Sequence, residues 1–338
     1  MAFKRFDQED ITISAESIVA PAWTGQLSTL SGSAAFNTSS LQVGSTSGEY
    51  YYNIYQTAST ATGAEVQFAV SFGNYKGSGS LPFTGSVVDK TRSSVIYGQY
   101  RTLVNGDEDT NFTFGTRIPE SIYIIAVNRS RYKEKLLPGS FNITLTSGSR
   151  TVKLTDNSLS LSTISYVDSG RVYDIISGSN GTYSGATTDA FTQASGSYGK
   201  FLPDVGLIIF NANALADNTS GIGLVPQVSS SVDGLNQQRI YNAIKTGGSF
   251  TLRSEETVTS NYVFVRVRNS EFNYSTNPSN ITGSGELRHN VMINTPQSYI
   301  TTVGLYNDNN DLLGVAKLSR PLLKDFTKEA LVRIKLDY

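Results

Sequence analysis

Phe141-Asn142-Ile143-Thr144-Leu145-Thr146, Arg150-Thr151-Val152-Lys153-Leu154-Thr155, Leu161-Ser162-Thr163-Ile164-Ser165-Tyr166-Val167 and Gly170-Arg171-Val172-Tyr173-Asp174-Ile175-Ile176 are four short runs rich in branched and aromatic residues. Ser147-Gly148, Asp156-Asn157 and Asp168-Ser169-Gly170 separate them, and Gly178-Ser179-Asn180-Gly181 closes the set. Gly, Asn, Asp and Ser turn a chain at such points because they tolerate unusual backbone angles or bond their own backbone. The stretch therefore reads as an antiparallel meander. Further strands are expected on either side of it, at 49–55, 65–72 and 121–128 before it and at 249–255, 262–267, 299–306, 312–318 and 330–336 after it. Gly206-Leu207-Ile208-Ile209-Phe210 is apolar throughout and is expected in the middle of a sheet.

Two segments change period. Between Val87 and Val104, apolar residues such as Val95, Ile96, Tyr100 and Leu103 recur mostly at helical spacings, with Asp89 as cap, Gly106 as stop and Gly98 as a weak point. A second helix is expected from Asp233 to Thr246, with Leu235, Ile240, Tyr241 and Ile244 inward and Gly247-Gly248 as its stop. The fold class is thus mainly β, with antiparallel sheets in a sandwich-like arrangement and one or two amphipathic helices.

Residues 1–48 read as an extended N-terminal arm. They hold scattered anchors (Ile11, Ile13, Ile18, Val19, Trp23) in a Ser/Thr/Gly-rich context with too few apolar residues for a core of its own. Residues 49–338 read as one β-rich structural region without internal repeats; a subdivision near 160–250 stays open. The last three apolar runs are expected to form a single sheet, with 307–311 as a hairpin turn and both faces of 299–306 covered. Tyr50-Tyr51-Tyr52 puts aromatic rings on both faces of one strand, which suits either an inner strand or an interface.

Composition narrows the chemistry. The 338 residues carry a formal net charge of -1, so there is no general basic character to attract nucleic acid. The absence of cysteine removes disulfides and thiolate chemistry. One histidine, His289, cannot make a multi-histidine metal site or a His-based triad with a histidine to spare, and it sits in a polar stretch. Asp107-Glu108-Asp109 lacks standard calcium-loop spacing, and Asp308-Asn309-Asn310-Asp311 reads as a turn. Gly77-Ser78-Gly79 lacks the Lys-Ser/Thr of a phosphate loop. The basic stretch from Arg129 to Lys135 reads as a solvated or interfacial surface. No catalytic, cofactor-binding or metal-ligating residues are singled out, and a non-enzymatic protein without cofactors is expected. The first ten residues lack the apolar core of a signal peptide, and no stretch is long and apolar enough to insert in a membrane.

Several segments resemble virion structural proteins of tailed bacteriophages, in particular T4-like myoviruses of marine bacteria and cyanobacteria. They are Ser270-Glu271-Phe272-Asn273-Tyr274-Ser275-Thr276-Asn277-Pro278, Tyr299-Ile300-Thr301-Thr302-Val303-Gly304-Leu305-Tyr306-Asn307-Asp308, Leu312-Leu313-Gly314-Val315-Ala316-Lys317-Leu318-Ser319-Arg320-Pro321 and Glu329-Ala330-Leu331-Val332-Arg333-Ile334-Lys335-Leu336-Asp337-Tyr338. Ser130-Arg131-Tyr132-Lys133-Glu134-Lys135-Leu136-Leu137-Pro138-Gly139-Ser140 and Val172-Tyr173-Asp174-Ile175-Ile176-Ser177-Gly178-Ser179-Asn180-Gly181 belong to the same pattern. The resemblance covers roughly the last two-thirds of the chain and carries no catalytic residues. It implies a structural subunit of the virion, in the tail or baseplate region, assembled in the host cytoplasm. Its partners would be other virion proteins and copies of itself, with no nucleic acid and no membrane insertion. One alternative is an adhesin-like receptor-binding tail protein that recognises host surface glycans; another is a neck or capsid-associated subunit.

Overall fold

A strand that is apolar at every position needs cover on both faces, and Leu207–Asn211 has it. Leu207 and Ile209 join one hydrophobic cluster, while Ile208 and Phe210 join another on the opposite face. The neighbouring strand Ser121–Val127 divides the same way, Ile122 and Ile124 to one side and Tyr123, Ile125 and Val127 to the other. The structure is a computed structural model that describes residues 4–39, 50–83, 90–184, 198–229, 233–275 and 277–337. The expected helix start at Val87 with its cap Asp89, the Ser/Thr/Gly run from 40 to 48, and Glu49, Thr276 and Tyr338 lie outside the described residues.

In chain order the strands are β1 (Ile11–Pro21), β2 (Thr29–Ser31), β3 (Tyr51–Tyr55), β4 (Val66–Asn74), β5 (Ser121–Val127) and β6 (Lys135–Leu136). Then come β7 (Asn142–Ser147), β8 (Arg150–Asp156), β9 (Ser165–Val167), β10 (Gly170–Ser179), β11 (Thr182–Tyr183) and β12 (Gly199–Leu202). The last six are β13 (Leu207–Asn211), β14 (Ser249–Thr251), β15 (Arg253–Val267), β16 (Gln297–Tyr306), β17 (Leu312–Asp325) and β18 (Ala330–Asp337). The helices are α1 (Arg92–Asn105), the short α2 (Ala212–Ala216), α3 (Leu235–Gly247) and the short α4 (Val291–Asn294). The expectation of a mainly antiparallel β fold with two amphipathic helices holds.

The chain forms two units, a larger one of Ile18–Glu256 and a terminal one made of Met1–Ser17 with Thr257–Tyr338. The larger unit is built on a 12-stranded sheet in the order β2-β14-β7-β8-β10-β12-β13-β5-β4-β3, with β9 and β11 pairing to β10. At the usual strand spacing, β14 and β4 would lie about 34 Å apart in a flat sheet. Yet the Phe250 ring on β14 meets the Phe68 ring on β4 edge-on, with centroids 5.1 Å apart. The sheet therefore curls until its two ends share one core. Ile240, Tyr241, Ala243 and Ile244 of α3 pack into that core, while Tyr97 and Val104 of α1 pack on the sheet's other face.

The reading of residues 1–48 as a core-poor arm is overturned for much of its length. Ala22, Trp23, Leu30 and Phe36 are all in the core of the larger unit, and β2 adds a strand to its sheet beside β14. Trp23 donates its indole N–H to the Phe250 carbonyl at 3.0 Å. A few spaced apolar side chains are enough when other segments supply the rest of the core. The meander holds for β7, β8 and β10, but the expected strand at 161–167 shrinks to β9, because β8 pairs directly with β10. Tyr50-Tyr51-Tyr52 opens onto an edge strand: Tyr52 is buried and stacked on Tyr241, while Tyr51 is exposed.

Helix α1 starts one turn later than expected, at Thr91, whose side chain and that of Ser94 cap each other's backbone N–H groups. It runs unbroken through Gly98 and stops at Gly106 in the left-handed region. Val95 and Leu103, expected inward, are exposed, because Tyr97, Ser93 and Val104 fill the side that meets the sheet.

A four-stranded sheet has the order β1-β15-β18, with β6 also pairing to β15, and the terminal unit holds a separate two-stranded sheet, β16-β17. The runs at 299–306 and 312–318 do form a hairpin, but 330–336 is not in its ladder. It pairs with β15 from Ser260↔Asp337 to Val267↔Ala330. A small cluster of Val263, Leu305, Val332 and Ile334 joins the two sheets face to face.

Two glycines on helices make opposite predictions. A Cβ on Gly247, at the end of α3, would lie 1.9 Å from the Thr144 carbonyl oxygen on β7, so helix and strand would have to part. A Cβ on Gly98 would meet nothing within 4 Å. Gly247→Ala should cost about 1–3 kcal/mol, as overpacking does. Gly98→Ala should gain about 0.5–1 kcal/mol from the stiffer unfolded chain. Thermal denaturation of the two variants checks both signs.

Candidate functional site

The resemblance-bearing segments of the terminal unit converge on the β16-β17 hairpin. Its turn is organised by Asn307: the side-chain oxygen accepts from the Asn309 and Asp311 amides at 3.0 and 2.8 Å. Asn310 takes the left-handed conformation the turn requires (φ 66). The acidic cluster at 308–311 is thus occupied in making a hairpin, as its sequence suggested. On the face turned inward, Val303, Leu305, Ala316 and Leu318 meet Val263, Val265, Val332 and Ile334.

The other face departs from expectation. Covering of both hairpin faces was expected because neither carries many charges. Instead Leu313 is 71% exposed and Val315 is also in solvent, as are Thr302 and Gly304 on the facing strand. The physical reason is the layer count. Among the described residues of this unit, the β15/β18 sheet backs one face of the hairpin and no second layer backs the other. The final strand alternates as expected over its middle, with Val332 and Ile334 buried and Arg333, Lys335 and Asp337 exposed, but Leu336, expected inward with Val332 and Ile334, is exposed at the strand's end.

The block Ser270-Glu271-Phe272-Asn273 is tied to this hairpin by a lysine that the sequence did not flag. Lys324 on β17 is fully buried, and its ammonium donates to the Asn269 carbonyl (2.9 Å), the Asn273 side-chain oxygen (2.7 Å) and the Asp325 carbonyl (2.8 Å). All three donors are satisfied, as burial of an ammonium demands. Glu271 in the same block pairs with Lys4 at 3.2 Å and accepts from the Arg268 amide at 2.9 Å, and these contacts hold its carboxyl below the usual range. Nothing about a lysine between Leu323 and Asp325 announces burial in the sequence.

In the larger unit the basic stretch lies along an open groove of about 480 Å³, lined in part by Trp23, Thr24, Glu65, Arg131, Tyr132 and Glu256. Its cations are matched by acids. Arg131 pairs with Glu65 at 2.7 Å and also donates to the Thr24 hydroxyl, Lys133 pairs with Glu256 at 2.7 Å, and Lys135 lies 3.8 Å from Glu255. The Thr24 hydroxyl, with Arg131, keeps the Glu65 carboxyl below its ordinary value. Arg129 stacks over the Tyr132 ring at 4.6 Å and donates to the Tyr132 carbonyl. A stretch so neutralised offers little net field for a phosphate.

His289 is exposed in a loop, and no group of three or more His, Asp or Glu side chains converges among the described residues. Asp107 accepts from the amides of Asp109 and Thr110 just past α1, which is turn-making, and those N–H groups hold its carboxyl low. Gly77-Ser78-Gly79 follows β4, with the Asn74 side-chain oxygen accepting from the amides of Lys76 and Ser78.

A deeply buried acid of the larger unit is also structural. Asp156, at the end of β8, is fully buried and accepts from the Gly139 and Ser158 amides, pinning the Pro138-Gly139 turn. Burial pushes its carboxyl above the usual range, against the opposing pull of those N–H groups. A raised folded-state value means that folding takes up a proton. The carboxyl's contribution to stability is then complete below the ordinary carboxylate range, about pH 3.9, and is lost as pH rises through the folded value. The stability of the native chain minus that of Asp156→Asn should therefore fall as pH is raised from about 3 toward 7. Chemical denaturation across that range checks the sign; a difference that grows with pH would mean the amides outweigh burial. No protein-family model, curated protein or solved structure matches the chain.

Proposed function

We propose that this chain is a structural subunit of a tailed-phage virion, in the tail or baseplate region, and that it works through contacts with other virion proteins and with copies of itself. One observation carries the reading: the terminal unit leaves large apolar side chains in solvent along an ordered hairpin. Leu312, Leu313, Val315 and Tyr299 stand on or beside one sheet, and Val291 and Ile293 of α4 are exposed in the same unit. Single exposed apolar residues are ordinary on a protein surface, but several gathered on one small unit mark a surface that a partner covers. The sparse charge of the chain and the neutralised basic stretch point the same way, since neither presents a field for nucleic acid. Four of the six segments that resemble virion proteins lie in this unit.

No observation favours the glycan-binding alternative over assembly. Trp23, the one tryptophan, is 2% exposed between Phe68 and Phe250, so it offers no stacking platform for a sugar. Leu313→Glu combined with Val315→Glu tests the reading. Both side chains lie in solvent, so the isolated chain should melt as before. Burying unpaired carboxylates in a contact costs about 3–5 kcal/mol each, so incorporation into particles should be lost. A variant that assembles as well as the native chain, or a native chain missing from purified particles, would refute the assembly role.

A further inference from the structure

β15 lies in the middle of a four-stranded sheet, flanked by β1 and β18 and paired with β6 as well. The two edges are treated differently. On β18 the exposed face carries Arg333, Lys335 and Asp337, charges that oppose stray pairing. On β1 the residues from 11 to 16 are exposed on both faces apart from Ser14, and Glu16 is the sole charge among them. Ile11 and Ile13 project from one face with Ala15, at 44% and 69% exposure for the two isoleucines. β1 is also 11 residues long, about twice the usual strand. Among the described residues, β15 is its one strand neighbour, so the far edge presents a row of backbone donors and acceptors.

We infer that this edge pairs antiparallel with β1 of a second copy, joining the sheets of the two copies into one continuous sheet across a two-fold axis. The inference rests on the assembly reading and names the partner. Three features select a second copy. An open strand edge is complementary to another extended backbone, and an antiparallel pair of identical strands satisfies both copies with one set of bonds. Such a pair lays Ile11, Ile13 and Ala15 of one copy beside uncharged residues of the other, with no two carboxylates forced together near the axis. The terminal unit carries eleven Lys and Arg against eleven Asp and Glu, so two copies approach without net repulsion.

The absence of native cysteine makes the test direct. Single substitutions Thr12→Cys, Ile13→Cys, Ser14→Cys, Ala15→Cys and Glu16→Cys are made in the full chain and oxidised. In a two-fold antiparallel pair only the residues at the axis face their own copies within disulfide reach, about 4.5–5.5 Å between Cα atoms. Cross-linking should therefore peak at one or two adjacent positions and fall away on both sides. Light scattering should find a concentration-dependent dimer that Ile13→Lys abolishes without changing the melting temperature. A native chain that stays monomeric at every concentration and does not cross-link overturns the inference. If that monomer nevertheless needs Ile13 to enter particles, the edge receives a strand of a different protein: the second copy is then wrong and the assembly reading stands. A dimer that peaks as described, from a chain absent from particles, sustains the inference and sinks the assembly reading.

Discussion

The contact between Phe68 and Phe250 governs the larger unit. It brings together strands that stand seven steps apart along the sheet, and it can form only if every intervening strand twists and curls in the same sense. Trp23 lies against both rings and Phe141 packs edge-on to Phe250, so the contact is the centre of an aromatic cluster. Aromatic side chains suit this place because each buries a large area and edge-to-face pairs add attraction beyond burial. The curl gives α3 its seat against the inner face and leaves α1 to cover part of the outer face. A chain with no disulfide and none of the usual metal-ligand clusters among its described residues holds a broad sheet closed with aromatic contacts and with hydrogen bonds that reach β4 and β3, from the Thr24 amide to the Gln67 side-chain oxygen at 3.0 Å and between the Asn37 and Tyr55 backbones at 3.0 and 2.7 Å.

The terminal unit follows a different economy. Its buried cluster is four residues, none fully buried, whereas the larger unit hides dozens of apolar side chains, many completely. Two thin sheets packed face to face have only one shared interior, and everything on their outer faces meets water. An isolated two-stranded sheet such as β16-β17 is marginal by itself. It is held by the β15/β18 layer beneath and by Lys324, whose three hydrogen bonds fasten the block around Asn273 to it. The unit thus has an ordered but half-covered framework, the state expected of an element whose remaining cover comes from neighbours.

Much of the fold was legible in the sequence because it rests on local rules. The alternation and turn residues from 141 to 176 announce β7, β8 and β10, the unbroken apolar run at 206–210 announces a central strand, and the glycine pairs announce helix ends. What was not legible depends on distant partners. Trp23, Leu30 and Phe36 sit among Ser, Thr and Gly, and only the sheet ends that enclose them turn such sparse anchors into core. The boundary at Ser17 and Glu256 is invisible locally because one unit is assembled from both chain ends. β18 looked like a third strand of the C-terminal hairpin, since its pattern sets its faces but not its neighbour. Of the candidate surface, the apolar runs themselves could be read; that one face of 299–306 stays open could not, because coverage is a property of layers.

The proposed assembly role turns on one property, the solvent exposure of the hairpin's outer face in the free chain and its predicted loss in a particle. Oxidative footprinting of the purified chain and of intact particles measures that directly. Leu313 and Val315 should label readily in the free chain and become protected in the particle, while Tyr97 and Tyr123, already buried, stay unlabelled in both. Equal labelling of Leu313 and Val315 in the two states would contradict the account.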